Sequence, residues 1–188
     1  IVWTLPEHGS WSTVQAADLH VSIVYVTGTN LTDLSWSPDS TQLFVSALDH
    51  SVSTITYKTG SWKTTSKQHP YKHNAQGVAW DPLDVYKVSM SADKLSCIQT
   101  AGKTKVLKHL EFEQHSIAFC DETRLASFVR RLAWTPDGAY LILPAATVDD
   151  RNATLVLARH QWQSPAKIWM GMNKVSNETI VVYECISF

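Results

Sequence analysis

Apolar and polar residues alternate over short stretches of the chain, and each stretch ends at residues that favour turns. Leu34 and Trp36 stand two positions apart, as do Leu132 and Trp134, with a small residue between them. Alternation with a period of two is typical of a β-strand that buries one face. A Pro-Asp pair follows each stretch, and proline presets the backbone dihedral φ for the second position of a β-turn. Because another apolar stretch follows each turn, the pattern predicts β-hairpins.

The same pattern occurs three times at long intervals. In each copy an apolar residue is followed two positions later by tryptophan and two positions after that by proline; the copies span 34–39, 78–83 and 132–137, and their tryptophans are Trp36, Trp80 and Trp134. Neighbouring tryptophans are 44 and 54 residues apart. WD repeats, each of which folds into a four-stranded blade, recur every roughly 40–45 residues, and a loop insertion accounts for the longer second interval. The chain therefore resembles an all-β WD-repeat β-propeller, a fragment of about three to four four-stranded blades of a seven-bladed ring.

An acidic residue supports this period. Asp49 and Asp93 each follow their tryptophan by thirteen positions, where WD repeats place an aspartate in the turn between the second and third strands. Its side chain can bond the local backbone and hold that turn. The third repeat has Thr147 at this position, so its hairpin is expected to be longer and closed differently. In WD repeats a histidine before the first strand often bonds the turn aspartate, and His69 and His73 are both candidates.

The repeat divides the chain into blades and connections. The three tryptophans are expected to pack blade against blade, since an aromatic ring fills the large space between stacked sheets. The predicted units are the end of one blade at 1–5, blades at 31–60, 74–102 and 128–160, an insertion at 103–127, and the start of the next blade at 179–188. The chain has neither an initiator Met nor a signal peptide and is interpreted as an internal fragment of a longer protein. Three to four blades cannot close a seven-bladed ring, so either the missing blades come from the longer protein or elsewhere, or the fragment is unstable alone.

Composition argues against several classes of function. Lysine and arginine number 16 against 17 aspartates and glutamates, for a net charge of -1. A protein that holds DNA by its phosphates usually has a basic excess, so direct sequence-specific DNA binding is not expected. No apolar run approaches the roughly 18 residues that a membrane span needs. The three cysteines are far apart and form neither a metal-ligand pair nor a disulfide framework, which fits a reducing compartment.

Motifs for catalysis are missing from the sequence. It has no nucleophile elbow, no phosphate-binding loop and no dinucleotide fingerprint, which disfavours a propeller hydrolase. His69 and His73 are four positions apart, a spacing that suits metal binding on a helix. They stand in a proline-containing loop without a second ligand pair. The protein is therefore predicted not to be an enzyme and to hold no metal or cofactor.

Two segments carry a more specific resemblance. Residues 74–83 are similar to a blade motif of two related histone-chaperone propellers, the WD-repeat subunit of chromatin assembly factor 1 and the histone regulator (HIR) proteins. Residues 128–145 resemble the first family more, with paired arginines before the strand, Thr-Pro-Asp-Gly at the turn and Pro-Ala near the strand end. The longer connection at 100–127 also resembles it. The first repeat matches poorly outside Trp36 and Asp49.

The resemblance implies a function. It implies a non-catalytic histone chaperone subunit of the nucleus, a scaffold for nucleosome assembly coupled to DNA replication and repair. The implied partners are the large subunit of chromatin assembly factor 1, histones, and other histone chaperones that bind segments outside this chain. Two alternatives stay open: a histone regulator propeller that acts independently of replication, and a general WD-repeat adaptor such as a substrate receptor of a ubiquitin ligase.

Arg130 and Arg131 are the candidate partner-binding residues. They precede a predicted strand, where the connection between two blades reaches the surface. Arginine suits two-point contacts with a carboxylate, so one of the pair could bind an acidic group on a partner. The alternative is that one arginine bonds a neighbouring blade while the other is solvated.

Overall fold

The computed structural model describes residues 2–4, 15, 17, 19–22, 28–102, 106–120, 128 and 130–170. No helix in this part of the chain is long and apolar enough to span a membrane. The strand expected at 179–188 lies outside the described residues. The strands are, in chain order, β1 (Val2–Thr4), β2 (His20–Ser22), β3 (Leu31–Trp36), β4 (Gln42–Ala47), β5 (Val52–Lys58), β6 (Ser61–Gln68), β7 (Ala75–Trp80), β8 (Tyr86–Ser91), β9 (Ser96–Thr100), β10 (Val106–His109), β11 (Ile117–Phe119), β12 (Ala133–Trp134), β13 (Tyr140–Val148), β14 (Arg151–Ala158) and β15 (Lys167–Met170).

The strands form antiparallel sheets that follow the chain order. Strands β3 to β6 make the first blade and β7 to β10 the second, each in the order of the sequence. The third blade contains β11 to β15, and β1 pairs with β2 in a separate ribbon. Meandering four-stranded sheets in series are the architecture of a propeller. The prediction of an all-β WD-repeat propeller fragment is confirmed.

The third blade has a divided inner strand. The short β12 pairs with the first half of β13, and β11 pairs with its second half, beyond an irregularity between Leu143 and Ala146. Strands β13 and β14 are joined by Asp149 and Asp150, both with positive φ (48° and 61°). Two successive positive φ values characterise the tight type I′ hairpin turn. The longer hairpin of this repeat therefore closes on two aspartates.

The sheets reach beyond the predicted blade boundaries. The first blade continues through β6 to Gln68, past the boundary drawn at residue 60, and β10 and β11 both lie within the stretch assigned to an insertion. Strand β6 is largely exposed, with its residues mostly polar. An outer strand of this kind lacks the apolar alternation by which a strand is recognised, which explains why its end is hard to locate from the pattern.

The repeated turn has the same construction in the first and third blades. Asp39 accepts hydrogen bonds from the hydroxyl of Ser37 (2.6 Å) and the amide of Thr41 (3.1 Å), and Asp137 accepts the equivalent pair. These bonds favour the charged form and lower the pKa of both carboxyls. The fourth turn residue has a positive φ in all three repeats, and only the third supplies a glycine there, Gly138 (φ 68°).

Two of the repeat tryptophans lie between blades. Trp80 is buried and its ring meets that of Phe44 in the first blade edge-on at 6.4 Å. Trp134 stacks on Tyr86 of the second blade, 6.4 Å away and nearly parallel. Trp36 is 40% exposed and contacts Trp62 of its own blade. Trp80 and Trp134 thus pack against the preceding blade, whereas the contact of Trp36 lies within its own blade.

We expect Trp80→Ala to lower the free energy of unfolding by about 3–5 kcal/mol, because it removes a buried aromatic ring and leaves a cavity between two blades. The matched variant Trp36→Ala, which removes a half-exposed ring, should lower it by less than half as much. Urea unfolding of the full-length protein, followed by circular dichroism, measures both. Equal losses would show that the tryptophan between the blades has no special part in stability.

Candidate partner-binding site

The segment that enters the third blade lies against the inner strand of the second blade. The amide of Arg130 donates to the carbonyl of Gln76 at 3.0 Å. The two backbones approach so closely at Gly77 that a Cβ atom there would lie 1.8 Å from the carbonyl oxygen of Arg130. Only glycine allows such an approach. This contact fixes where the arginine pair stands.

Arg130 is buried between blades. Its side chain is 1% exposed, and Nη1 donates to the carbonyl of Ser91 (3.1 Å), at the end of β8, and to the carbonyl of Cys120, after β11. These acceptors belong to the second and third blades. A side chain so enclosed cannot reach a partner, so the proposal of partner binding by Arg130 is corrected: it makes the neighbouring-blade contact that the sequence left as the alternative.

Arg131 points outward at the same end of the inner strands. It is exposed, and its charge acts on the carboxyl of Asp33 in the first blade. Burial raises the pKa of Asp33 above its ordinary value, while hydrogen bonds from the amides of Val78 and Leu34 and the charge of Arg131 oppose the rise. Arg131 is thus an accessible cation, and its contact with a partner stays a prediction.

The turn aspartates have different partners. Asp49 accepts from the amide of Ser51 (3.2 Å) and pairs with Lys67 (2.7 Å). Burial would raise the pKa of Asp49, but the bonds from Lys67 and Ser51 outweigh it and lower that pKa to about 2. Nδ1 of His69 lies 3.2 Å from the backbone oxygen of Asp49. Asp93 accepts from the backbone amide of Lys72 at 2.8 Å.

At the other end of the blades, a buried ion pair joins the second and third blades. Arg159 donates to both carboxylate oxygens of Asp81, with Nη1 3.0 Å from Oδ1, and also to the carbonyl of Gly138 (2.9 Å). The Asp81 side chain is fully buried and accepts three backbone amides as well. Burial alone would raise the pKa of Asp81, but Arg159 and these amides lower it below its ordinary value. The two bonds between Arg159 and Asp81 therefore hold the third blade against the second.

Aromatic rings surround the Arg159 guanidinium. Its central carbon lies 5.0 Å from the ring centroid of Tyr86 and 5.5 Å from that of Trp134. Trp162 meets both rings edge-on, at 5.5 and 6.1 Å. Cation–π contact adds to the ion pair. Because the protein's own arginine occupies this aromatic cluster, the tryptophans here act as packing residues and do not form an open ligand cage.

The Asp81–Arg159 pair was not predicted from the sequence. Its members are 78 positions apart, and no local spacing relates them. One signal was present: Asp81 stands in the turn where the other repeats have Ser37 and Thr135, so an acidic residue replaces a hydroxyl at a repeated position. In the described part of the chain, no group of three or more metal-binding side chains occurs.

Comparison with known proteins supports the resemblance seen in the sequence. No family model matches the chain. Over 168 residues it is 33% identical to a chromatin assembly factor 1 subunit FAS2 homolog of rice (Oryza sativa), covering 76% of this chain and 33% of the relative. It is 27% identical over 169 residues to a chromatin assembly factor 1 subunit of mouse, covering 83% and 28%. Protein HIR1 of Eremothecium gossypii is 23% identical over 143 residues, covering 74% and 16%.

The chain spans about a third or less of the length of these relatives. The relatives are chromatin assembly factor 1 subunits and HIR proteins. The chain is more similar to the first group than to the second, as the motifs predicted. The predicted resemblance to the WD-repeat subunit of chromatin assembly factor 1, with the HIR proteins next, is confirmed.

We expect Asp81→Asn to lower the free energy of unfolding at pH 7 by about 3–5 kcal/mol, because it leaves the charge of Arg159 without its counter-ion. The depressed pKa of Asp81 also makes its contribution depend on pH. This contribution is fully present above about pH 4, the ordinary pKa of an unfolded aspartate, and disappears as the pH falls through the lower folded value.

Urea unfolding at pH 7 and at pH 3 measures both effects. The difference between the original protein and Asp81→Asn should be smaller at pH 3. The variant Asp149→Asn, altered at an exposed carboxyl of the β13–β14 turn, is the control. A difference that stays constant or grows on acidification would contradict the assignment of this pair.

Proposed function

Because this chain is a homologue of chromatin assembly factor 1 subunits, we propose that the full-length protein is a non-catalytic histone chaperone subunit. In this proposal its propeller is a scaffold for nucleosome assembly coupled to DNA replication and repair in the nucleus. The homology to two families named for chromatin assembly and HIR proteins is the observation that carries the proposal.

The fold supports a scaffold role in physical terms. The second and third blades are tied by backbone contact at Gly77, by the buried Arg130 and by the Asp81–Arg159 pair. The first and second blades are joined by hydrogen bonds from backbone amides of β7 to side chains of β3. Interfaces fixed at several points leave little freedom between blades, so the loops at their ends form a rigid surface. Preorganised surfaces lose less entropy when a protein partner binds.

The near balance of charge supports protein partners over direct DNA contact. Net charge is -1, whereas proteins that bind DNA through its phosphates usually have a basic excess. We propose that the large subunit of chromatin assembly factor 1 and histones are the partners, and that other chaperones bind segments outside this chain. The assembled complex would shield the positive charge of histones until they are deposited on DNA.

A second candidate is a histone regulator type chaperone that acts independently of replication. The similarity to HIR1, at 23–24% identity over 138–143 residues, favours it. It would have the same rigid scaffold and histones as a shared partner. The companion proteins therefore distinguish the two candidates.

Affinity capture of the full-length protein from nuclear extract, followed by mass spectrometry, tests these candidates. We expect the large subunit of chromatin assembly factor 1 together with histones. Histones with HIR-complex subunits in its place would support the second candidate. Ligase subunits without histones would instead indicate a general adaptor and overturn both.

We expect Arg131→Glu to weaken capture of the acidic partner surface by about threefold to tenfold, since an exposed charge at an interface rim contributes about 1 kcal/mol. Its free energy of unfolding should fall only slightly, by about 1 kcal/mol at most, because the side chain is exposed and its charge acts on Asp33 without a direct bond. Arg130→Met is the matched comparison: it alters the buried neighbour and should lower stability. Quantitative capture and urea unfolding of the two variants separate these effects, and unchanged capture by Arg131→Glu would remove Arg131 from the binding surface.

A further inference from the structure

A lysine is buried at the interface between the first and second blades. Lys87, on β8, is 2% exposed. Its Nζ lies 5.2 Å from the ring centroid of Phe44 and 5.1 Å from that of Trp80. It donates to Oγ1 of Thr54 in the first blade at 2.8 Å. The ammonium group is therefore held between two rings and one hydroxyl.

No carboxylate of the described residues forms a salt bridge with this ammonium group. Asp84 is the acidic residue whose charge acts on it, and that carboxylate accepts a hydrogen bond from Nε1 of Trp80 at 2.7 Å. Desolvation lowers the pKa of Lys87 to about 8, so the group is still mostly protonated at neutral pH. A buried cation that no carboxylate contacts directly is unfavourable, so an anion bound beside it would relieve part of that cost.

A pocket lies directly beside Lys87. Its volume is about 240 Å³, and its wall combines two cationic side chains with hydroxyl groups; the lining includes Lys58, Lys87, Thr54, Thr56, Thr65 and Ser66. None of the residues that line it is acidic. Lys58 is exposed and Lys87 is buried, so one positive charge is accessible and the other lies deeper.

The hydroxyl groups are positioned by the first blade. Oγ1 of Thr56 and Oγ1 of Thr65 lie 3.0 Å apart on the neighbouring strands β5 and β6. Thr54, two residues before Thr56, contacts Lys87 directly. The hydroxyls of Thr56 and Thr65 donate to Oε1 of Gln42 (3.3 Å) and to the carbonyl of Thr54 (3.2 Å). Both bonds are long, and because a hydroxyl proton rotates, an incoming anion can replace these acceptors. Ammonium and hydroxyl groups around one cavity suit an oxyanion, because both can donate hydrogen bonds to its oxygens. The bonds from the charged ammonium groups are the stronger ones.

We propose that the pocket between the first and second blades binds an oxyanion, a phosphate or carboxylate group, with Lys87 as the inner cation and Lys58 as the outer one. The group has two possible sources: a free inorganic anion, or an acidic side chain of a partner protein. This proposal is independent of the proposed chaperone function, since it rests on the composition and geometry of the pocket.

The probes are inorganic phosphate, acetate and a short glutamate-containing peptide, each titrated at constant ionic strength into the full-length protein. The midpoint of thermal unfolding and the binding isotherm are measured. We expect phosphate or acetate to raise the midpoint. Lys87→Met should weaken binding at least tenfold, and Lys58→Gln about threefold, because the outer charge is partly screened by solvent.

Lys67→Gln is the matched control, since Lys67 pairs with Asp49 and does not line the pocket; it should bind as the original protein does. Should Lys87→Met fail to fold, Lys58→Gln still decides the question. Preference for phosphate would identify a free anion, and tighter binding of the peptide than of acetate would identify a partner side chain. The proposal is overturned if no probe binds, or if the Lys58 and Lys87 variants bind as tightly as the control.

Discussion

The inner strand of a blade has backbone amides and carbonyls that no strand of its own sheet pairs with, and these groups need partners from elsewhere in the structure. The inner strand of the second blade is covered by side chains of the first: the amide of Val78 donates to Asp33 (3.1 Å), and that of Trp80 donates to Ser35 (2.9 Å). The hydroxyl of Thr32 donates to the carbonyl of Ala75 at 2.7 Å. Unpaired strand edges otherwise recruit other chains. Successive blades therefore protect one another's edges.

The interfaces between blades are more polar than a simple stack of sheets requires. Asp81 and Arg159 pair behind an aromatic cluster, Arg130 bonds two carbonyls, and Lys87 lies between two rings. Buried charges rarely add much net stability, but an unpaired one is costly. Such groups tolerate few alternative packings, so they define how each blade sits against the next. The relative positions of the loops at the blade ends follow from this geometry.

The two adjacent arginines of one segment have opposite environments. Adjacent residues in an extended segment point in opposite directions, so Arg130 enters the interface while Arg131 stays exposed. One anchors the connection and the other remains available to solvent. The same segment thus joins two blades and presents a charge at the end of the inner strands.

Alternation, turn residues and tryptophan spacing are local properties, so the sequence was enough to predict the opening hairpin of each repeat and the repeat itself. It also indicated the family from about thirty residues around Trp80 and Trp134. The outer strand β6 escaped recognition, since its exposed residues lack apolar alternation. Which arginine is buried, which aspartate pairs with Arg159 and where Lys87 lies became known from the three-dimensional packing. Those outcomes depend on contacts between residues up to 78 positions apart, and the register that brings them together is set by blade packing.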